Sequence, residues 1–542
     1  MNLDLEHLYD TWFTNERFWF NASPEDDLYL KQQFESWLGV DITFNIATKK
    51  QCIAAIILYD QIPRNIYRNN PEKVATFSAK ACICIGKLAK ITNAYAELSA
   101  NEWCFTMLPL RHTNIIQLIH KVVHNAWGRL LISQNTNDIK TYRRFIKATY
   151  ERTLLHRYED NEVYVKSFYP LVQFTEWSSS KYSDILDYVP DNPFNVYHGV
   201  HNNIVDRFHD MLRMLKPKKI ILSLSGGIDS MVCSIILKRL QIFYKFDIHA
   251  IHINYCNRET CENEETFLKD WCRFLEIPIH IRAIHEIKRE ICKEHELRET
   301  YETYTRNVRY NTYKYVWEHI IGEGMSCPFV ILGHNQDDVC ENILTNIAQQ
   351  TKYEMLTGMD LISFQDGINF VRPMLSITKH QIRQFSRENA IPHLPNSTPA
   401  WSMRGKIRDI VRPALLEWHP KILHGMISLS KNVTDMHHIV ENYVKIVIRQ
   451  TSHLKVDEWI WKTTLDTLPT QPIFWRSYID HLLKVKLSMK SLLFLEERLK
   501  KYKAAIDTIL NVNVPIAKNI TIHLQNDISV RKIYVMIKTK NS

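Results

Sequence analysis

The chain has 542 residues, of which 45% are hydrophobic and 23% are charged. This length exceeds what one hydrophobic core serves and predicts about three or four domains, while no apolar stretch approaches the roughly 20 residues that cross a bilayer. The 11 cysteines are scattered through apolar segments, which excludes a disulfide framework and, with a first segment that lacks a signal-peptide core, predicts a cytoplasmic protein.

The charge of the chain is distributed unevenly. The formal net charge is +9. Residues 1–200 contain 21 Lys and Arg against 22 Asp and Glu, whereas residues 431–542 contain 18 against 10. A basic excess at one end is typical of proteins with a polyanionic partner, although a lysine-rich solvated surface gives the same count.

Residues 1–150 are predicted to form an all-helical domain. Apolar residues recur there at three- and four-residue spacing, as in residues 52–58 and 115–119, which is the period of a helix. The segments at residues 12–20, 57–68 (Ile-Leu-Tyr-Asp-Gln-Ile-Pro-Arg-Asn-Ile-Tyr-Arg) and 108–112 resemble an uncharacterised family of TPR-like, all-helical bacterial proteins. The resemblance covers about residues 8–130 and implies no activity.

Polar residues in that domain are candidates for a small-molecule pocket: Asp60, Arg64, Asn65, Arg68 and His112. The i, i+4 spacing of Asp60 and Arg64 fits a buried structural pair equally well. Both interpretations stay open at the level of sequence.

Residues 151–200 lose the helical period and contain three consecutive serines and Pro190-Asp191-Asn192-Pro193, which predicts a linker. From residue 201 to 425, short β-type runs alternate with helical patterns. The predicted strands are Lys219–Leu224, Asp247–Asn254, Pro278–Ala283 and Pro328–Leu332. Such alternation predicts a doubly wound parallel α/β domain that binds ligands at the carboxyl ends of its strands.

A glycine turn, Ser225-Gly226-Gly227-Ile228-Asp229-Ser230, follows the first of these strands and precedes a helix-type apolar run. Adjacent glycines let the backbone approach an anion, and the following helix directs its N–H groups and positive dipole end at it. The serine hydroxyls add donors, and Asp229 can hold Mg²⁺. The turn lacks the Gly-Lys-Ser/Thr ending of the kinase-type P-loop, and we interpret it as a pyrophosphate cradle.

Three acids, Asp337, Asp338 and Glu341, follow the fourth predicted strand in the first turns of a helix. Asp338 and Glu341 share a face of that helix. Carboxylates near a phosphate site need a metal or a cationic substrate to offset their charge, whereas helix capping explains only one acid. The three are catalytic candidates, and Asp229 and Asp338 are the candidate metal ligands.

Two arginines, Arg306 and Arg309, lie three residues apart on a predicted long helix. They could meet phosphate or the transition state at the α-phosphorus; ion pairing with Glu299 or Glu302 is the alternative. His252 ends the second predicted strand, where doubly wound sheets commonly meet the adenosine half of a nucleotide. A buried histidine satisfied by the backbone is the alternative there.

A basic segment at residues 404–412 places four cations in nine positions and has a tryptophan nearby that could stack on a base. A solvated basic loop is the alternative. The candidate nucleic-acid-binding residues are Asn396, Trp401, Arg404, Lys406, Arg408 and Arg412. Residues 426–542 are predicted to be a basic helical region that docks a nucleic acid and ends in a small β-hairpin formed by Ile520–Leu524 and Val530–Ile537.

In this order the motifs resemble the tRNA(Ile)-lysidine synthases of the PP-loop ATP pyrophosphatase superfamily, over about residues 215–420. The resemblance implies an adenine nucleotide α-hydrolase-like fold, ATP and Mg²⁺, and tRNA and free lysine as partners. It implies a ligase that adenylates the wobble cytidine of an isoleucine tRNA and then joins lysine to it as AMP leaves. The implied ATP-binding residues are Ser225, Gly226, Gly227, Ile228, Asp229, Ser230, His252 and His334.

The chain departs from that family's pattern at Tyr255, Asn257, Val339 and Asn342. Thiolation of tRNA on the same fold is one alternative function, and a catalytically silent tRNA-binding protein is another. Thiolating relatives usually carry paired cysteines for a zinc or iron–sulfur site, and the chain has no Cys-x-x-Cys. This argues against thiolation without excluding it.

Overall fold

The computed structural model describes residues 3–20, 22–154, 164–171, 178–190, 203–322, 327–349, 355–396, 402–455, 457–505, 511–527 and 532–539. Within it, the chain divides into two compact units. The first comprises Met1–Asn335 and Leu361–Ser397, and the second comprises Gln336–Asp360 and Thr398–Ser542. Trp401, one of the candidate tRNA-binding residues, lies outside the described residues.

The first unit begins with seven helices, which confirms the helical N-terminal region. They are α1 Leu5–Thr14, α2 Pro24–Phe34, α3 Lys49–Ile66, α4 Pro71–Leu88, α5 Ala100–His112, α6 Ile116–Ile132 and α7 Thr136–Thr149. Side-chain oxygens of Ser23, Thr48 and Ser99 cap α2, α3 and α5 in reciprocal capping boxes, which explains where these helices start. The run from Cys52 to Pro63 in α3 is buried on every side, as expected of a helix at the centre of a bundle.

The first unit continues into a seven-stranded sheet. Its strands are β1 Val165–Phe168, β2 Lys219–Ser223, β3 Asp247–Asn254, β4 Ile279–Ala283, β5 Phe329–Ile331, β6 Ile362–Gln365 and β7 Ile368–Val371. The order across the sheet is β1-β4-β3-β2-β5-β7-β6. The five inner strands are parallel, and β1 and β6 are each antiparallel to their neighbour.

Helices cover this sheet, as the doubly wound prediction requires. They are α8 Asn203–Leu215, α9 Ile228–Tyr244, α10 Cys261–Phe274, α11 Arg289–Glu294, α12 Arg298–Tyr315 and α14 Lys379–Glu388. The middle of β2, residues 220–222, is fully buried, which is typical of a parallel strand covered on both faces. The predicted α/β fold is confirmed, and the four predicted strands are β2 to β5.

The N-terminal helical part and the sheet are connected by strand pairing, by side-chain contacts and by a common hydrophobic cluster. Strand β1 lies in the segment predicted as a linker, and Val165 pairs with Arg282 of β4. The Tyr150 hydroxyl donates a 2.6 Å hydrogen bond to the carbonyl of Glu286, and its ring lies 4.9 Å from that of Tyr304 in α12. One continuous hydrophobic cluster contains residues of both parts, and the helical and α/β parts therefore stabilise each other.

We expect the two parts of the first unit to unfold together. Changing Tyr150 to Phe removes the bond to Glu286 and leaves a buried carbonyl without its donor, at a cost of about 1–2 kcal/mol. Hydrogen exchange should show this loss at the amides of both α3 and β2. The exposed Tyr169 provides a control, because Tyr169→Phe removes no such bond; a loss confined to α3 would show independent folding.

The second unit combines helices with an antiparallel sheet. Its helices are α13 Gln336–Ala348, α15 Met403–Lys406, α16 Arg412–Trp418, α17 Ile422–Gln450, α18 Pro472–Leu483 and α19 Met489–Ala504. Its strands are β8 Ser452–Lys455, β9 Glu458–Thr463, β10 Asn511–Ala517, β11 Ile520–Asp527 and β12 Lys532–Thr539.

The small C-terminal β region is confirmed and is larger than a hairpin. The five strands follow the order β10-β11-β12-β9-β8, so the predicted hairpin β11–β12 is flanked on both sides. Strands β8 and β9 lie in a segment predicted to be helical, because they are four and six residues long and too short to reveal a period. Within the described part of the chain, no helix is both long and apolar enough to cross a membrane.

Candidate active site

The glycine turn predicted to cradle pyrophosphate connects β2 to α9 in the first unit. Gly226 has a φ of +83°, and a Cβ there would lie 2.4 Å from Cδ1 of Leu394, so only glycine fits without displacement. The turn is braced internally: the Ser230 hydroxyl donates to the Gly227 carbonyl at 2.9 Å and accepts from the Ser225 N–H at 3.2 Å. Because α9 begins at Ile228, its free N–H groups and positive dipole end lie at this turn.

Asp229, in the first turn of α9, is held by two polar side chains of the same unit. Lys379 Nζ lies 2.6 Å from Oδ2, and the Asn335 amide donates to Oδ1 at 3.2 Å. The loop that precedes Asn335 comes close to the turn, since a Cβ on Gly333 would lie 3.0 Å from the backbone carbon of Asp229. The fold therefore brings the glycine turn and the Gly333–Asn335 segment together.

The carboxylate of Asp229 fits a magnesium ion that arrives with ATP. Mg²⁺ in nucleotide sites is usually held by one or two carboxylates plus substrate phosphates and water. Within the described ranges, no group of three or more His, Cys, Asp or Glu side chains could hold a metal by itself. Asp229 beside an anion-binding turn is the arrangement that such a shared ion requires.

A cavity of about 270 Å³ opens at the carboxyl end of β3. Ser225 of the glycine turn and His252 of β3 both line it. His252 is buried, its ring Nδ1 lies 2.9 Å from the Leu224 carbonyl, and burial lowers the pKa of His252. The imidazole is therefore neutral and donates its Nδ1–H to that carbonyl. The backbone satisfies His252, as the second interpretation expected, and the residue also lines a cavity next to the turn; its contact with a nucleotide stays a prediction.

The same cavity has polar residues that were not among the predicted site residues. They are Asn254, Asn257, Arg258, Glu264 and Arg289, and Tyr301 also lines it. Arg258 forms a 2.6 Å ion pair with Glu264. Arg289 lies in α11, a six-residue helix with no motif around it, so no pattern in the sequence pointed to it.

The two arginines predicted to meet phosphate have different surroundings on α12. Arg306 is exposed. Arg309 is partly buried, its guanidinium lies 5.5 Å from the Tyr310 ring, and its buried Nε has no hydrogen-bond partner. No described carboxylate forms an ion pair with Arg309, so neither Glu299 nor Glu302 neutralises it. Of the pair, Arg309 is the better candidate for an anionic ligand.

His334, predicted to bind ATP, is positioned by Arg372. The Arg372 Nε donates to His334 Nδ1 at 3.2 Å, and its Nη1 donates to the Ser363 hydroxyl at 2.9 Å. Arg372 is buried and immediately follows β7. Lys379 and Arg372 are two further cations of the first unit that were not among the predicted site residues.

In the second unit, the three predicted acids of α13 meet the predicted basic segment. Arg408 bonds to both oxygens of Glu341, one of them at 3.1 Å, and to Asp338 at 3.2 Å. Arg412 pairs with Asp337. Burial raises the pKa of Glu341, while Arg408 opposes that shift. The acids and the arginines neutralise each other in this state.

The remaining candidate tRNA-binding residues are described within their own units. In the second unit, Arg404 donates to the side-chain amide oxygen of Asn342 at 3.4 Å, and Lys406 is exposed. Asn396 is exposed in the first unit. The structure therefore leaves Arg404 and Lys406 as the exposed cations of the basic segment.

Two parts of the chain match known protein families. Residues 200–416 match the family model of the PP-loop domain. The chain contains a PP-loop domain. Residues 8–168 match a second family, described as a bacterial protein of unknown function. That match ends at β1, the strand that joins the sheet of the PP-loop domain.

Curated relatives are similar to about two fifths of the chain. The tRNA(Ile)-lysidine synthase of Clostridium tetani is 29% identical over 217 residues, which is 40% of this chain and 44% of the relative. That of Chlamydia muridarum is 29% identical over 204 residues, 37% of this chain and 59% of the relative. The alignments with these two relatives span about half of the relatives' length.

One similar solved structure is a U34-tRNA thiolase from Methanococcus maripaludis with its [4Fe-4S] cluster. The two chains are 16% identical with a TM-score of 0.35, over 43% of this chain and 78% of the thiolase.

Proposed function

We propose that the protein is an ATP-dependent ligase that modifies tRNA and forms lysidine at the wobble cytidine of an isoleucine tRNA. The observation that carries this proposal is the glycine turn, in which Asp229 is held by Lys379 and Asn335 beside an anion-binding helix start. The similarity of the PP-loop domain to tRNA(Ile)-lysidine synthases supports the choice of substrate.

The first step of the proposed reaction activates the base. The O2 of the cytidine attacks the α-phosphorus of ATP, the new O–P bond forms, and pyrophosphate leaves. Backbone N–H groups at the start of α9, together with the hydroxyls of Ser225 and Ser230, bind the phosphates. Lys379 and Arg309 add positive charge against the charge that develops on them.

Magnesium would supply further charge neutralisation at the pyrophosphate, with Asp229 as its protein ligand. His252 and the cavity at the end of β3 would hold the adenosine, and His334, positioned by Arg372, completes the proposed ATP site. The neutral state of His252 suits this role, since a base and a ribose present no negative charge to it.

The second step joins lysine to the activated base. The ε-amine of lysine attacks C2 of the cytidine, the C–N bond forms, the C2–O2 bond breaks, and AMP leaves with that oxygen. The amine must lose its proton, and the acids of α13 are the candidates for binding the ammonium and accepting the proton.

The basic C-terminal region, residues 426–542, is proposed to dock the tRNA. Its 18 Lys and Arg against 10 Asp and Glu match the phosphate backbone, which supplies most of the sequence-independent affinity for nucleic acids.

Thiolation receives no support from Cys256 and Cys340, the two cysteines that lie within the predicted motifs. Burial raises the pKa of Cys256, and it raises the pKa of Cys340 to about 11. Both thiols are therefore protonated at neutral pH, whereas sulfur transfer requires a thiolate.

One assay tests the proposed function against both alternatives. The full chain is incubated with ATP, Mg²⁺, labelled lysine and an unmodified tRNA with a CAU anticodon; a UAU-anticodon tRNA is the matched control. We expect lysine to enter only the CAU tRNA, with one AMP formed for each lysine. Sulfur transfer from a donor without lysine transfer would indicate thiolation. Binding of the tRNA with no formation of AMP would leave only the silent binding protein.

A further inference from the structure

A second cluster of charged side chains lies within the helical N-terminal part of the first unit. At its centre is Asp60 of α3, whose side chain is 1% exposed. Its carboxylate accepts hydrogen bonds from His112 Nδ1 at 3.1 Å, from Arg64 Nε at 3.3 Å and from the Gln61 amide. Asp60 is therefore saturated with donors and fixes the positions of Arg64 and His112.

Arg111, next to His112 at the end of α5, has no carboxylate of its own. Its Nη1 donates to the Thr149 hydroxyl at 3.3 Å, its guanidinium lies 5.1 Å from the Phe145 ring, and no described carboxylate forms an ion pair with it. Burial, together with nearby Arg152 and Arg64, lowers the pKa of Arg111 to about 10, although Asp60 opposes the shift. A partly buried guanidinium without a counter-ion is costly unless an anion joins it.

The charges of this cluster do not balance. Two guanidinium groups, those of Arg64 and Arg111, lie near the single carboxylate of Asp60, which leaves a net charge of +1 even with His112 neutral. The cluster is also open to solvent: the side chains of Arg64 and His112 are 34% and 21% exposed. The two terminal amino groups of Arg64 have no acceptor within the described part of the chain.

We propose that this cluster, formed by Asp60, Arg64, Arg111 and His112, is a binding site for the phosphate group of a small phosphorylated molecule. Guanidinium groups bind phosphate oxygens through paired, charge-assisted hydrogen bonds, and the net positive charge of the cluster favours an anion. Arg64 of α3 and Arg111 of α5 supply the two guanidinium groups. A polynucleotide would instead need cations spread along its backbone.

The five polar residues singled out in the N-terminal sequence have different roles. Asp60, Arg64 and His112 belong to the anion site. Arg68 instead pairs with Asp27 at 2.8 Å, and Asn65 donates to the Phe18 carbonyl at 3.0 Å. The pair Asp60–Arg64 is thus a structural pair whose outer guanidinium nitrogens remain available to a ligand.

Inorganic phosphate is the probe for this site, titrated into the full chain by calorimetry. Since the PP-loop also attracts phosphate, the titration is repeated with Ser230→Ala, which weakens only that turn. We expect a phosphate-binding component that persists in Ser230→Ala and weakens at least about tenfold in Arg111→Gln, the loss that follows from one charge-assisted pair of hydrogen bonds. Arg111→Lys should retain part of the affinity, and the exposed Lys121→Gln should match the wild type.

Arg111→Gln should leave ATP–pyrophosphate exchange within about twofold of the wild type, so this test stands apart from that of the ligase activity. If Arg111→Gln does not fold, judged by its thermal unfolding midpoint, Arg64→Gln replaces it, because the Arg64 head group is exposed. Phosphate binding that is unchanged in both variants would overturn the proposal, and so would acetate binding as tight as phosphate. Displacement of phosphate by a single-stranded oligonucleotide at equal phosphate concentration would also overturn it.

Discussion

Replacing Asp229 with Ala is expected to slow ATP–pyrophosphate exchange by about 10²- to 10³-fold, the usual effect of removing one preorganised polar group from a transition-state site. The structure gives the reason. The Asp229 carboxylate is the acceptor that positions Lys379 at 2.6 Å and Asn335 at 3.2 Å, and it is the protein ligand proposed for magnesium. Its loss removes three contributions at one point of the turn.

Two further variants separate charge from shape. Asp229→Asn preserves the size of the side chain and removes its charge; if charge is what magnesium and Lys379 require, exchange falls about as far as in the Ala variant. Asp247→Ala is the matched control, because Asp247 is exposed and lies at the amino end of β3, whereas the glycine turn follows the carboxyl end of β2. Exchange that stays above half of the wild-type rate in Asp229→Ala would remove Asp229 from the proposed mechanism. The measurement is incorporation of labelled pyrophosphate into ATP over a range of Mg²⁺ concentrations.

The parts of the site that the sequence predicted are those built from contiguous residues. Strand, glycine turn and helix at residues 219–244 follow one another without interruption, so local physics alone determines how they are arranged. The strand Asp247–Asn254 was predicted with the bounds that the structure shows, because six of its eight residues are buried and give a clear pattern.

The parts that the sequence could not predict depend on distant residues. Lys379 lies 150 positions after Asp229, at the first turn of α14, and one lysine near a helix start is no signal by itself. Glu341 and Arg408, which pair with each other, are likewise far apart in the chain, by 67 positions. Each residue was identified as a candidate, the acid for catalysis and the arginine for tRNA, and only the fold shows that they bind each other.

Short strands are the remaining part of the fold that could not be predicted from the sequence. Strand β1 has four residues and lies in a segment whose composition is typical of a linker. It is stabilised by pairing with β4 and by the core beneath it, both of which are tertiary effects. The continuity between the N-terminal helices and the PP-loop domain follows from the same contacts and could not be inferred from domain-by-domain composition.

Replacing Gly226 with Ala is expected to lower the free energy of unfolding by about 1–3 kcal/mol and to raise the KM for ATP at least about tenfold. A φ of +83° is strained for any residue with a Cβ, and that Cβ would lie 2.4 Å from Cδ1 of Leu394. The turn has to move to relieve the backbone strain or the clash with Leu394. The backbone N–H groups proposed to bind phosphate then move with it. Urea unfolding and steady-state exchange kinetics measure the two effects.

Gly86→Ala is the control for this substitution, and the expected change in stability has the opposite sign. Gly86 lies inside α4 with nothing within 4 Å of its Cβ position, so alanine should stabilise the protein by about 0.5–1 kcal/mol. A double variant, Gly226→Ala with Leu394→Ala, removes the side-chain clash and leaves the backbone strain. If the clash dominates, the double variant regains affinity for ATP relative to Gly226→Ala; if strain dominates, its KM stays raised. A KM for Gly226→Ala equal to that of the wild type would show that the turn does not bind the nucleotide.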